Sequence, residues 1–91
     1  MSVSSFIRRK RLLYQAQYRG FKEADLLIGG FAAAHLAGMG ETDLDEFERL
    51  LGFPDHDLFA WATGAAEPPD GVAGPVFELL RAFDISAITA P

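Results

Sequence analysis

Five runs of apolar residues at spacings of three and four, set off by glycine and proline, constrain this chain more than any other feature. No segment alternates apolar and polar residues for long enough to read as a half-buried strand. The expected fold is all-α, a single small five-helix bundle. Helix one is predicted over about residues 5–18, with Ser4 or Ser5 as its cap and Leu12, Leu13 and Ala16 on its apolar side. Gly20 falls just past its end, where a left-handed backbone is often needed. Helix two is predicted from Lys22 to about Leu36. Leu27, Phe31 and Ala34 recur at i, i+4 and i+7 and are expected to face the core. Gly29 and Gly30 weaken that helix by about 1 kcal/mol each relative to alanine, so their expected use is close approach of another helix.

The later helices follow the same logic. Gly38-Met39-Gly40 reads as a turn, and Thr42 with Asp45 reads as a variant capping box. Leu44, Phe47, Leu50 and Leu51 form the stripe of helix three, which Gly52 ends. Pro54 and Asp55 start helix four, with Asp55 as its cap and Leu58, Phe59, Trp61 and Ala62 as core residues; Gly64 stops it. Residues 65–74 hold Pro68, Pro69, Asp70 and two glycines and read as a loop. Pro75 suits the first turn of helix five, whose apolar residues are Val76, Phe77, Leu79, Leu80 and Phe83. One domain over residues 1–91 is expected, with its core at about 5–83 and a flexible tail at 84–91.

Ninety-one residues bury only about 60–65% of their unfolded surface. That allows one core and disfavours a deep catalytic pocket. The absence of cysteine removes disulfides and thiolate metal sites. No apolar run approaches the roughly 20 residues that cross a bilayer. His35 and His56 stand in no metal-ligating spacing, no serine has a histidine within local reach, and no glycine-rich loop follows a strand. An autonomous enzyme therefore has little support.

The net charge of −5 hides a division. Residues 1–22 carry Arg8, Arg9, Lys10, Arg11, Arg19 and Lys22 with no acid, a net +6; residues 23–91 carry all 13 acids against Arg49 and Arg81, a net −11. Such a dipolar chain can steer a partner with complementary patches, although both stretches also read as solvated faces. Overall acidity opposes general binding to nucleic acid. A small helical DNA-binding regulator, with helices three and four as a helix-turn-helix, is the alternative reading. Its recognition region would carry Asp43, Asp45, Glu46, Glu48, Asp55 and Asp57 towards phosphates. The serine- and arginine-rich, acid-free start also has the composition of a mitochondrial transit peptide. It runs straight into Arg19-Gly20, so we expect it to be part of the domain.

Arg19-Gly20-Phe21-Lys22-Glu23 joins the basic helix to the apolar one, with Asp25 close behind. A helix end, a glycine hinge and an acid in the next first turn account for Gly20 and Glu23 without a function. They account less well for Arg19, which reads as part of a compact exposed polar site. The segment also has a context. Arg8-Arg9-Lys10-Arg11-Leu12-Leu13-Tyr14 precedes it and Asp25-Leu26-Leu27-Ile28-Gly29 follows. Phe47-Glu48-Arg49-Leu50-Leu51 and Asp55-His56-Asp57-Leu58-Phe59-Ala60-Trp61 come later. In that order and spacing the set resembles the SdhE family of FAD assembly factors, the small flavinator proteins of succinate dehydrogenase. The resemblance covers roughly residues 7–83.

The resemblance implies an assembly factor rather than an enzyme, assisting an autocatalytic attachment of FAD to a histidine of the flavoprotein subunit of succinate dehydrogenase. Fumarate reductase is a second target. It implies no cofactor held stably by this chain, since the FAD sits on the partner. It implies that Arg19, Gly20 and Glu23 touch that partner near its flavin; Asp25, Arg8 and Arg11 complete the expected contact set. No nucleic acid, no membrane insertion and a monomeric free state are expected. The expected location is the cytoplasm of a bacterium, or the mitochondrial matrix if the source is eukaryotic. In one respect the chain departs from the pattern. Where further basic residues usually precede the R-G pair, it has Gln15, Gln17 and Tyr18, and its basic cluster sits upstream at Arg8–Arg11.

Overall fold

A computed structural model describes residues 3–83. The expected tail at 84–91 lies outside the described residues. Helix α1 is Val3–Gln17. After a turn, α2 spans residues 22–38 as one continuous rod of changing pitch. It is α-helical at Lys22–Ala24, π-helical at Asp25–Gly29, α-helical again at Gly30–His35, and closes as a 3-10 turn at Leu36–Gly38. Helix α3 is Glu41–Leu51, α4 is Asp55–Thr63 and α5 is Pro75–Ala82. The five expected helices are all present, and no strand occurs among the described residues.

The apolar spacing explains how they pack. Helices α1 and α2 form a hairpin, α3 crosses α1, and α5 closes over α3 and α4. Phe31, Phe47 and Phe77 are the largest fully buried side chains, with Leu12, Ile28, Leu44, Leu50, Leu58 and Leu80 around them. Burying side chains of this kind stabilises by about 1.5–3 kcal/mol each. Gly29 lies where α1 and α2 come closest. A Cβ there would stand 3.1 Å from Gln17 Cα and 3.3 Å from the Ala16 carbonyl oxygen, so the expected close approach is real. Loop 65–74 ends at Pro75, the first residue of α5. The free amide of Phe77 in that first turn donates to Glu46 Oε2 of α3 at 2.9 Å, so a side chain distant in sequence supplies the cap.

Several local expectations are corrected. The serines do not cap α1, which begins at Val3; the Ser5 hydroxyl donates instead to Glu41 Oε1 at 2.7 Å. Thr42 and Asp55 lie inside the first turns of α3 and α4, whose cap positions are Gly40 and Pro54 without side-chain bonds. Ala34 is exposed; the buried face of α2 is made by Ala24, Leu27, Ile28, Phe31, Ala32 and Leu36. Leu79 is exposed. Trp61 is half-buried, edge-on to Phe53 with ring centroids 5.1 Å apart, so it borders the core rather than filling it.

Candidate functional site: the turn between the first two helices

The turn at residues 18–23 is held from inside by Arg19. Its side chain is 8% exposed and its guanidinium points inward. Nη1 donates to the Leu51 carbonyl at 2.9 Å and Nη2 to the Phe53 carbonyl at 3.0 Å. Nη2 also lies 2.6 Å from Asp55 Oδ1. Helix α3 ends with carbonyls that have no partner within the helix. A planar, permanently charged fork can bind the Leu51 oxygen of that end, the Phe53 oxygen of the linker to α4 and a carboxylate together. The expectation of an exposed arginine is therefore overturned: the apolar shell of α3 and α4 covers it, and its charge is spent on the α3–α4 junction.

Asp25 works from the other side. Its carboxylate accepts the backbone N–H of Arg19, and its own N–H donates to the Phe21 carbonyl at 3.0 Å. Both bonds close the turn. Phe21 lies flat against His56 at 4.4 Å and edge-on to Phe59 at 5.3 Å, which ties the turn to α4. Gly20 adopts φ +130, and a Cβ there would stand 2.7 Å from Asp55 Oδ2. Both facts exclude a side chain at little cost only for glycine.

Glu23 is different. It stands in the first turn of α2, is exposed, and has no side-chain hydrogen bond or ion pair among the described residues. Lys22 beside it is exposed as well. The turn thus has an inner layer of Arg19, Asp25 and Asp55 and an outer layer of Gly20, Lys22 and Glu23.

Arg8 and Arg11 are not brought to this site. Arg8 lies nine residues before the end of α1, about 13 Å along the axis. It pairs with Glu41 at 3.1 Å, Asp45 at 2.7 Å and Glu48 at 2.9 Å. The hydrogen bonds to Asp45 and Glu48 hold its pKa above the ordinary arginine value. Arg11 reaches Glu48 at 3.3 Å. Arg9 donates to the Leu36 carbonyl at 3.2 Å and to the Met39 carbonyl. The basic run expected to steer a partner is largely matched within the molecule, because α3 sets its acids opposite α1. The same acids leave a helix-turn-helix no phosphate-binding face.

Among the described residues no group of three or more His, Asp or Glu side chains is placed to hold a metal ion. His35 ends the α-helical part of α2 with its ring against Phe31 at 4.6 Å, and His56 is taken up by Phe21. Asp55 as counter-ion of Arg19 was missed from the sequence. Its place at the head of Asp55-His56-Asp57-Leu58-Phe59 suits a cap equally well, and only the tertiary turn separates the two roles.

Comparison with known proteins bears on this geometry. The family described as "Flavinator of succinate dehydrogenase" matches residues 10–84. The succinate dehydrogenase assembly factor 2, mitochondrial, of Danio rerio is 38% identical over 79 residues, covering 85% of this chain and 50% of that protein. Its counterpart in Debaryomyces hansenii is 46% identical over 57 residues, covering 63% of this chain and 40% of that protein. That of Saccharomyces cerevisiae is 48% identical over 56 residues, covering 62% and 35%. The chain spans half or less of the length of these curated relatives. The matched span takes in both layers of the turn, the basic helix from Lys10 onward and the α4 signature, and the chain belongs to the flavinator family of succinate dehydrogenase.

Proposed function

We propose that this protein promotes covalent attachment of FAD to the flavoprotein subunit of succinate dehydrogenase, with the fumarate reductase subunit as a second target, by docking the outer layer of its 18–23 turn on that subunit. The observation that carries this reading is Glu23: a carboxylate without a partner among the described residues, displayed on a turn that Arg19 and Asp25 hold fixed. A rigid display of this kind limits the ordering penalty of binding. Gly20 leaves room for a partner backbone beside the acid. Arg19 and Asp25 act as positioning residues behind the contact.

The FAD is placed on the partner. A groove of about 280 Å³ beside α1 is open and lined mainly by apolar side chains. It offers no helix N-terminus or glycine-rich loop to receive a diphosphate. The flavin supplies the chemistry of its own attachment. The small protein contributes orientation, holding the partner so that its histidine faces the flavin, which is worth several kcal/mol of barrier. The curated relatives are named as mitochondrial proteins, and no described helix is long and apolar enough to cross a membrane. The proposed site of action is wherever the flavoprotein is assembled, the bacterial cytoplasm or the mitochondrial matrix.

Glu23→Ala tests the reading. Loss of the first-turn acid is expected to lower stability by only about 0.3–1 kcal/mol, while covalent flavin on the partner falls strongly. The measurements are in-gel flavin fluorescence of the denatured flavoprotein from cells carrying the variant, and a thermal melt. Wild-type fluorescence with a normal melt would reduce the turn to a helix connection.

A further inference from the structure

Four of the five large apolar side chains that the described residues leave exposed belong to α1 and the residue after it. Phe6 is 55% exposed, Ile7 59%, Tyr14 66% and Tyr18 67%. Residues 6, 10, 14 and 18 are four apart, which puts them on one ridge of a helix, opposite the buried Leu12 and Ala16. The ridge is ordered within itself. Lys10 Nζ stands 5.4 Å over the Phe6 ring, and the Tyr14 and Tyr18 rings lie 4.6 Å apart. It runs about 18 Å and ends beside Gly20. Beside its Phe6–Lys10 half lies the 280 Å³ groove, walled by Phe6, Leu13, Ala32, Ala33 and Leu36.

We propose that this ridge and groove form a second docking surface, continuous with the turn, for an amphipathic acidic segment of the same flavoprotein. The inference rests on the function proposed above. Continuity is the first argument: Tyr18 directly precedes Arg19 and Gly20, so a partner seated on Glu23 meets the tyrosine pair next. Shape is the second. An apolar trough beside an aromatic ridge suits one large apolar anchor from a helix lying along it, and tyrosines present large contact area at low entropic cost. Charge is the third. Arg8 and Arg11 are turned to α3, whereas Lys10 has no carboxylate partner among the described residues. Residues 1–22 contain no acid, so carboxylates on the incoming segment find Lys10 and the tyrosine hydroxyls unopposed. An anionic membrane is a poorer occupant. Such surfaces are bound through clusters of about four to eight basic residues, and here most of the basic run is already matched.

The test uses the full chain and the flavoprotein subunit from the same host, with Kd measured by calorimetry. Tyr14→Ala with Tyr18→Ala, and separately Phe6→Ser, are expected to weaken binding about tenfold or more each, with unchanged melts because these side chains are exposed. Tyr14→Phe is expected to retain most of the affinity, which a disturbed fold would not do. Glu23→Ala is run beside them. If Glu23→Ala weakens binding and the ridge variants bind like wild type, the second surface is refuted and the turn stands. If the wild-type chain does not bind the flavoprotein, both readings fall. If the ridge variants lose binding only to phosphatidylserine vesicles and not to the flavoprotein, the ridge is a membrane contact and the proposal is wrong.

Discussion

Arg8 and Arg19 stand towards opposite ends of the first helix and do opposite work. Arg8 meets three carboxylates that are themselves largely open to water. Arg19 meets two carbonyls and one carboxylate behind a nearly closed surface. The first arrangement is rich in charge and screened by salt over about 8 Å. The second has less charge and far stricter geometry. Ion-pair number is thus a poor guide to what holds this molecule together; burial and the fit of the fork decide it. For function, the rigid end is the one that displays Glu23.

Three substitutions can break or sharpen this contrast. Arg19→Ala should be the most damaging. It strands the helix-end carbonyl of Leu51 and the linker carbonyl of Phe53 and leaves Asp55 without its counter-ion, a loss of about 3 kcal/mol in urea unfolding. Arg19→Lys should recover only part of it, since an ammonium cannot span the same three acceptors. A loss below about 1 kcal/mol would place Arg19 in the same class as Arg8. Gly20→Ala should come next, at about 2 kcal/mol, from a backbone angle unsuited to alanine and from the approach of Asp55 Oδ2. Because that oxygen ends a movable side chain, the penalty should shrink when Asp55→Ala is made first. An unchanged penalty would attribute it to the backbone alone. Arg8→Gln should have the smallest effect, a modest drop in melting temperature that fades in about 1 M salt. A salt-independent drop would mean that the carboxylates around Arg8 form a fixed network and would erase the contrast.

The helices were legible because their apolar residues keep the helical period and glycine or proline marks most of their breaks. Gly20, Gly29 and Pro75 stand where local rules put them. Helix starts were misread at Ser4, Thr42 and Asp55. Each can cap, but Ser5 found Glu41 and Asp55 found Arg19 first, and such tertiary partners leave no local trace. The candidate turn was found through its motif, while the division of labour inside it was not. An arginine one residue before a glycine and a glutamate three residues after it look equally polar on paper. Only the carbonyls of Leu51 and Phe53, more than 30 positions away, turn one inward and leave the other out. The basic run was misjudged for the same reason, since its acids lie on α3.

The π-turn at Asp25–Gly29 makes chain length itself a carrier of information. Its i→i+5 ring accommodates one residue more than an α-turn would. The azimuth of Glu23 relative to the buried face of α2 is therefore the one that an uninterrupted helix with one residue fewer would produce. Loss of a single residue between 25 and 29 would let the π-turn relax to an α-turn and leave that carboxylate nearly where it is, whereas loss of one from the α-helical Gly30–His35 stretch would swing it by about 100° around the rod. A one-residue gap is thus absorbed within the π-turn and disruptive just beyond it.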